Sequence, residues 1–114
     1  MSRKDIASVG QIKSNTTWDN DLLVSAVGTV MLALLGSSKN AGSQYVMVFD
    51  SAAAVSNGTA PKIHPIFIGA TDNFYIEIPM RGMEFANGIY VANSTTDTTL
   101  TLGSADCWFT AVTI

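Results

Sequence analysis

Along most of the chain, runs of apolar residues about five to seven long alternate with short stretches of Gly, Asn, Ser, Asp and Pro, a pattern of many short strands. The first run is Thr29 to Leu35, closed by Gly36-Ser37-Ser38. The second is Gln44 to Phe49, where Tyr45, Val46, Val48 and Phe49 favour a strand and Asn40-Ala41-Gly42-Ser43 forms the preceding turn. These two are expected to pair as a hairpin. After the loop Ser56 to Pro61 comes Lys62 to Ile68, in which Pro65 cannot donate to a ladder and so points to a sheet edge or a bulge. Gly69 to Asp72 turns the chain. Phe74 to Ile78 alternates cleanly, with Phe74, Ile76 and Ile78 on one face and Tyr75 and Glu77 on the other, as in a half-exposed strand. Ile89 to Ala92 follows Asn87-Gly88, and Cys107 to Ile114 closes the chain after the polar loop Asn93 to Thr99. The fold class expected is all-β, an antiparallel β-sandwich or jelly roll of about seven to eight strands.

Leu22, Ala26, Val30 and Leu34 also fall at helical spacing, but Gly28 interrupts that pattern and the β-branched Val24, Val27, Thr29 and Val30 weaken it, so strand is favoured for 29 to 35. Residues 1 to 21 are more polar, with isolated apolar residues Ile6, Val9, Ile12 and Trp18. They read as an N-terminal arm or an irregular lead-in strand, which divides the chain into residues 1–24 and a β-sandwich domain over 25–114.

The runs Val30 to Leu35 and Tyr45 to Phe49 are apolar on both faces, whereas an antiparallel sheet with one wet side should alternate. A small sandwich has one interior, so the second faces are expected to meet another surface, most simply another copy of the chain. The plainer alternative is that loops or the arm cover them. Composition points the same way: 47% of the 114 residues are apolar and only 13% charged, about half the charged share of an ordinary soluble domain.

The net charge of -3, with no basic run longer than Arg3-Lys4, argues against nucleic acid as a partner. Leu22 to Leu35 is short for a bilayer and broken by Ser25, Gly28 and Thr29, so no membrane role is expected. Cys107 is the single cysteine, which excludes an internal disulfide and fits synthesis in a reducing cytosol.

Catalytic chemistry has little to stand on. No phosphate-binding glycine motif occurs, His64 is the lone histidine and sits beside Pro65, and Glu77 and Glu84 are the only glutamates. No enzyme activity and no cofactor are expected. One Cys and one His cannot build a structural zinc site, and Asp19-Asn20-Asp21 lacks the glycine and distal glutamate of a calcium loop and reads as a solvated turn. Trp18, Trp108, Tyr45, Tyr75 and Tyr90 could stack on sugar rings, although aromatics in a small β domain more often serve core or interface. Three Asn-X-Ser/Thr triplets, at Asn15, Asn57 and Asn93, read as loop and turn residues.

Phe85-Ala86-Asn87-Gly88-Ile89-Tyr90-Val91-Ala92-Asn93-Ser94 followed by Ala105-Asp106-Cys107-Trp108-Phe109 resembles a family of short tailed-phage proteins that share FxNGIxVxNS and ADCWF stretches. Gly28-Thr29-Val30 and Ser43 to Asp50 are similar to upstream strands of that family, so the likeness runs over about residues 28 to 112, and none of its blocks carries catalytic chemistry. The resemblance implies a structural virion part made in the bacterial host cytoplasm and carried on the outer capsid surface. Its expected form is a homotrimeric decoration (cement) protein bound to the major capsid protein, the alternative being a receptor- or carbohydrate-binding knob of a fibre or tail with a host glycan as partner. The first 27 residues fall outside the likeness, and attachment to a particular virion could reside there. The contact residues this reading singles out are Arg3, Lys4, Ile6, Ile12 and Trp18 on the arm, Leu22 and Leu23 behind it, and Tyr45, Met47 and Trp108 on the strands. On the last strand, Cys107 and Phe109 share one face and Trp108 and Thr110 the other, so one face should meet the core and the other a subunit seam.

Overall fold

The computed structural model describes residues 11–79 and 81–114, and among them every regular element is a strand. In chain order these are β1 (Gln11–Ser14), β2 (Asp21–Ser25), β3 (Thr29–Ser38), β4 (Gln44–Asp50), β5 (Ile66–Ile68), β6 (Asn73–Glu77), β7 (Met83–Phe85), β8 (Ile89–Ser94) and β9 (Cys107–Thr113). They form two antiparallel sheets. Sheet A has the order β1-β9-β3-β6, with β7 also pairing β3, and sheet B the order β2-β8-β4-β5. The architecture is the expected β-sandwich.

Only the β4–β5 and β6–β7 connections stay within one sheet; the others leave one sheet and enter its partner. The expected hairpin of β3 with β4 is therefore corrected: β3 pairs β9, β6 and β7, while β4 pairs β8 and β5. The reason lies at the end of β3, where the Ser38 amide donates to Asp72 O at 2.8 Å and the Lys39 amide to Asp106 O at 2.9 Å. Those bonds satisfy the turn's backbone on neighbouring loops and carry Asn40–Ser43 over the end of the sandwich instead of folding it back on β3.

Residues 11–24 also lie inside the sandwich rather than beside it. Strand β1 closes one edge of sheet A on β9, and β2 closes one edge of sheet B on β8, so a boundary after residue 24 cuts through β2. Arg3, Lys4 and Ile6 lie outside the described residues.

Between the sheets, the inward side chains make the core: Met31 and Leu34 from β3, which stand on either side of a register shift, Val46 and Val48 from β4, Phe74 from β6, Phe85 from β7, Ile89 and Val91 from β8, and Cys107, Phe109 and Ala111 from β9. Phe74 and Phe109 meet with ring centroids 6.1 Å apart. Each large side chain of this kind stabilises the fold by about 1.5–3 kcal/mol through burial. The alternation expected for Phe74 to Ile78 holds: Phe74 is buried, Ile76 and Ile78 pack against the core, and Tyr75 and Glu77 are exposed. Pro65 immediately precedes β5, the edge strand of sheet B, where its missing amide costs no ladder bond.

Two glycines permit close approaches of backbone. A Cβ on Gly88 would stand 2.4 Å from Ser25 O and 2.7 Å from Ser51 O, and one on Gly36 would stand 1.9 Å from Trp108 O. The Asn87-Gly88 step thus lets three segments converge where the chain passes from sheet A to sheet B.

Candidate functional site

Two places concentrate the residues that the sequence singles out: a polar cluster at one end of the sandwich, and the outer face of sheet A.

The polar cluster is centred on Asn93, which points into the sandwich from the end of β8 opposite Val46. Its Nδ2 donates to Ser104 O at 2.9 Å, to Asp106 Oδ1 at 3.2 Å and to Cys107 Sγ at 3.3 Å, and its Oδ1 accepts from the Gly103 amide at 3.1 Å. Gln44 Oε1 accepts from Ser38 Oγ at 3.2 Å and from the Cys107 thiol at 3.3 Å. Asp106 also accepts from Asn40 Nδ2. Ser38, Gln44, Asn93, Asp106 and Cys107 are all buried, and no buried side-chain polar atom among the described residues lacks a partner. A fully satisfied network of this kind fixes the relative placement of its segments. It ties the end of β3, the start of β4 and the end of β8 to the start of β9, which explains why Asn93-Ser94 and Asp106-Cys107 carry polar residues inside an apolar sandwich. Burial holds the Cys107 thiol above its ordinary pKa, against opposing hydrogen bonds from Asn93 and Ser38, so it is a protonated donor and not a reactive thiolate.

The remaining titratable residues are dispersed. His64 is exposed, with Nδ1 2.7 Å from Pro65 O. Asp19 Oδ1 accepts the Asn20 amide at 2.7 Å, while Asp21, on β2, accepts the Tyr90 hydroxyl at 2.7 Å; burial and Asp21 together push Tyr90 up. Asp50 accepts the amides of Asn87 at 2.8 Å and Ala86 at 3.2 Å, and the first of these leads in holding its carboxyl below the ordinary value. Lys62 stands 4.0 Å from the same carboxylate. No group of three or more His, Cys, Asp or Glu side chains converges among the described residues.

The three asparagines of the Asn-X-Ser/Thr triplets do structural work. Asn15 donates to Asp21 O at 3.1 Å and accepts from the Phe109 amide at 2.8 Å, Asn57 accepts from the Leu102 amide at 2.9 Å, and Asn93 is the centre of the buried cluster. The sequence places Asn93 at the start of a polar loop, and the structure corrects this: Asn93, with Ser38, Gln44 and Asp106, forms a buried polar cluster that sequence reasoning does not single out, the available signal being the position of Asn93 directly after the apolar run Ile89 to Ala92.

On the outer face of sheet A, the register sets Ile12, Val112, Ala33 and Glu77 in one row and Ser14, Thr110, Leu35 and Tyr75 in the next. Trp108 continues the β9 side of this face; its Nε1 donates to Ser14 Oγ at 3.1 Å and its ring meets Trp18 edge-on at 5.4 Å, with Lys39 5.1 Å above Trp18. Cys107 and Phe109 take the core face of the same strand. Ile12 is 73% exposed and Tyr75 61%, while Ala33 between them is 9% exposed.

The outer face of sheet B differs. Met47, Phe49, Tyr90 and Ala92 are buried there beneath Leu100, with Val55 packed against them, so the second apolar face of β4 is covered by the chain's own loops. Two expected contact residues are corrected on this ground. Met47 is fully buried in that cluster, and Leu22, 8% exposed, points into the main core because it alternates with Leu23. Ile12 and Leu23 are exposed, Trp18 and Trp108 are half-buried against each other, and Tyr45 is half-buried with its ring 5.7 Å from Phe67. The aromatic residues thus lie on strands or pair with one another.

No family model, curated protein or solved structure matches the chain.

Proposed function

We propose that this chain is a structural virion protein of a tailed phage, a capsid decoration protein that self-associates, as a trimer, and stabilises the shell by packing across neighbouring capsid subunits. The observation that carries the reading is the outer face of sheet A, where Ile12, Val112, Ala33, Leu35 and Tyr75 lie among Ser14, Thr110 and Glu77, and where Ile12 and Tyr75 stand mostly in solvent. A partner bound across two subunits raises the cost of separating them by the free energy of its own contacts, and exposed apolar side chains on a regular surface contribute to such contacts. The similarity of the Phe85 to Ser94 and Ala105 to Phe109 stretches to short tailed-phage proteins supplies the setting, and threefold positions of a phage shell suit a trimer.

The test is to locate the chain in images of the intact particle and to measure the temperature at which shells lose their contents with and without it. Density on the outer shell and a raised disruption temperature are expected. Density at a fibre tip, with binding to a glycan array, would replace this reading by a receptor-binding knob, and absence from the particle would overturn both.

A further inference from the structure

Sheet edges with free backbone groups invite further strands, and short or bulged edges invite them less. Strand β5 is three residues long with Pro65 before it, and β2 carries a register shift against β8 between Leu23 and Ser25. Strand β6 has neither feature. Its five residues run in unbroken register with β3, which is its only neighbour among the described residues.

The hydrogen bonds at the ends of β6 fix which of its backbone groups face outward. The Ser38 amide donates to Asp72 O and the Ile78 amide to Leu32 O, so the even-numbered residues from 72 to 78 face β3, while Asn73, Tyr75 and Glu77 face the open side. Both ends of that outward series are closed. The Asn73 amide already donates to Asp72 Oδ1 at 2.8 Å. The next outward position after Glu77 is Pro79, which has no N–H and whose carbonyl accepts the Gly82 amide at 3.3 Å. The outward donors that remain are the amides of Tyr75 and Glu77, beside the exposed Glu77 side chain.

We infer that β6 is a guarded edge: the Asp72 carboxylate plugs the Asn73 amide and, with Glu77 and Pro79, keeps β6 of a second copy from extending sheet A. The pairing that the alternation favours shows why the guard is needed and how it acts. A twofold at Tyr75 would set Asn73 and Glu77 of each copy opposite Glu77 and Asn73 of the other, which engages all three outward residues. It would also bring Glu77 beside the other copy's Asp72, carboxylate against carboxylate, where the Asn73 amide is already taken. Removing the plug frees a donor and one of the two repelling charges. The guard belongs to the free chain and holds whether or not the chain is carried on a particle.

Amide hydrogen exchange and sedimentation of the full chain test this. In the parent chain the Tyr75 and Glu77 amides should exchange at least about tenfold faster than those of Phe74 and Ile76, which face β3, and Asn73 should fall between. Asp72→Ala should bring Asn73 toward the Tyr75 rate. Combined with Glu77→Gln, it should raise the associated fraction at micromolar concentration at least about tenfold, with the amides of residues 75 and 77 slowed in the associated form. Asp72→Asn, whose side-chain oxygen can still accept the Asn73 amide, should associate less than Asp72→Ala. Parent amides at Tyr75 and Glu77 as slow as that of Phe74 would mean an occupied edge and overturn the inference; this measurement needs no variant and stands even if Asp72→Ala fails to fold. A folded double variant that associates no more than the parent, or that associates while residues 75 and 77 still exchange fast, would overturn it as well.

Discussion

The outer faces of the two sheets both carry apolar side chains, mixed on sheet A with Ser14, Thr110 and Glu77, and they are finished differently. On sheet B, Met47, Phe49, Tyr90 and Ala92 would make an apolar platform, but Leu100 and Val55 from the long connections close over it and form a second small core. On sheet A, Ile12, Val112, Leu35 and Tyr75 lie on an equally regular surface, and the described chain leaves Ile12 and Tyr75 largely in solvent. Strands with two apolar faces are therefore not evidence of a partner by themselves. What separates the cases is whether a connection long enough to cross the sheet follows the strand: β4 is followed by residues 51–65 and β8 by 95–106, both on the sheet B side, whereas the turns at the ends of β6 are short.

The contrast breaks most sharply under substitution at the covered face. Met47→Ala and Leu100→Ala each should cost about 2–5 kcal/mol in urea unfolding, the range for emptying a packed site, although neither residue belongs to the main core. A cost below about 1 kcal/mol at both would mean that the loops do not hold the second cluster closed. Next in size is the crossing that brings the chain from β7 back to sheet B. Gly88→Ala drives a methyl group against Ser25 O and Ser51 O and should destabilise by about 1–3 kcal/mol, while Gly42→Ala, whose nearest neighbour would be Asn40 Oδ1 at 3.4 Å, should stay within about 0.5 kcal/mol.

How much of this was legible beforehand follows from which interactions are local. The strand of Phe74 to Ile78 was readable because period-two alternation is written into consecutive residues, and the edge position of β5 because Pro65 lacks an amide. The partner of β3 was not readable: an apolar run states that a strand is buried and is silent about which strand lies beside it, and the deciding bonds, from Ser38 and Lys39 to Asp72 and Asp106, come from residues more than thirty positions away. The same holds for Met47. Its residue type suited a surface contact as well as a core, and only the return of the 95–106 loop decides between them. Regular pairing at Gln11–Ser14 was hidden for a further reason, since β1 is an edge strand with little burial and so carries almost no hydrophobic period.

Asp50 fastens the connection from β7 to β8 onto β4, because its carboxylate receives the Ala86 and Asn87 amides at the entrance to β8. Its folded pKa lies below the ordinary 3.8, so the ionised form is favoured by folding. The stabilisation is complete above the unfolded value and disappears as pH falls through the lower folded one. Asp50→Asn should therefore be less stable than the parent at neutral pH, and the gap should close on acidification below about pH 4, as thermal melts across that range would show. A gap independent of pH would assign the effect to shape rather than charge.

The smallest expected change is at the uncovered face. Ile12→Ser and Tyr75→Ser remove apolar side chains that are already mostly in solvent, so each should alter the unfolding free energy of the dilute chain by no more than about 0.5 kcal/mol. On the proposed self-association, the same variants should weaken association measured by sedimentation, because those side chains would be the ones covered by a neighbouring copy. Stability that is insensitive while association is sensitive is the mirror image of Met47 and Leu100, whose loss should unfold the chain at any concentration. Were Ile12→Ser to cost as much as Leu100→Ala in the dilute chain, the face of sheet A would be covered from within like that of sheet B, and the distinction between the two sheets would vanish.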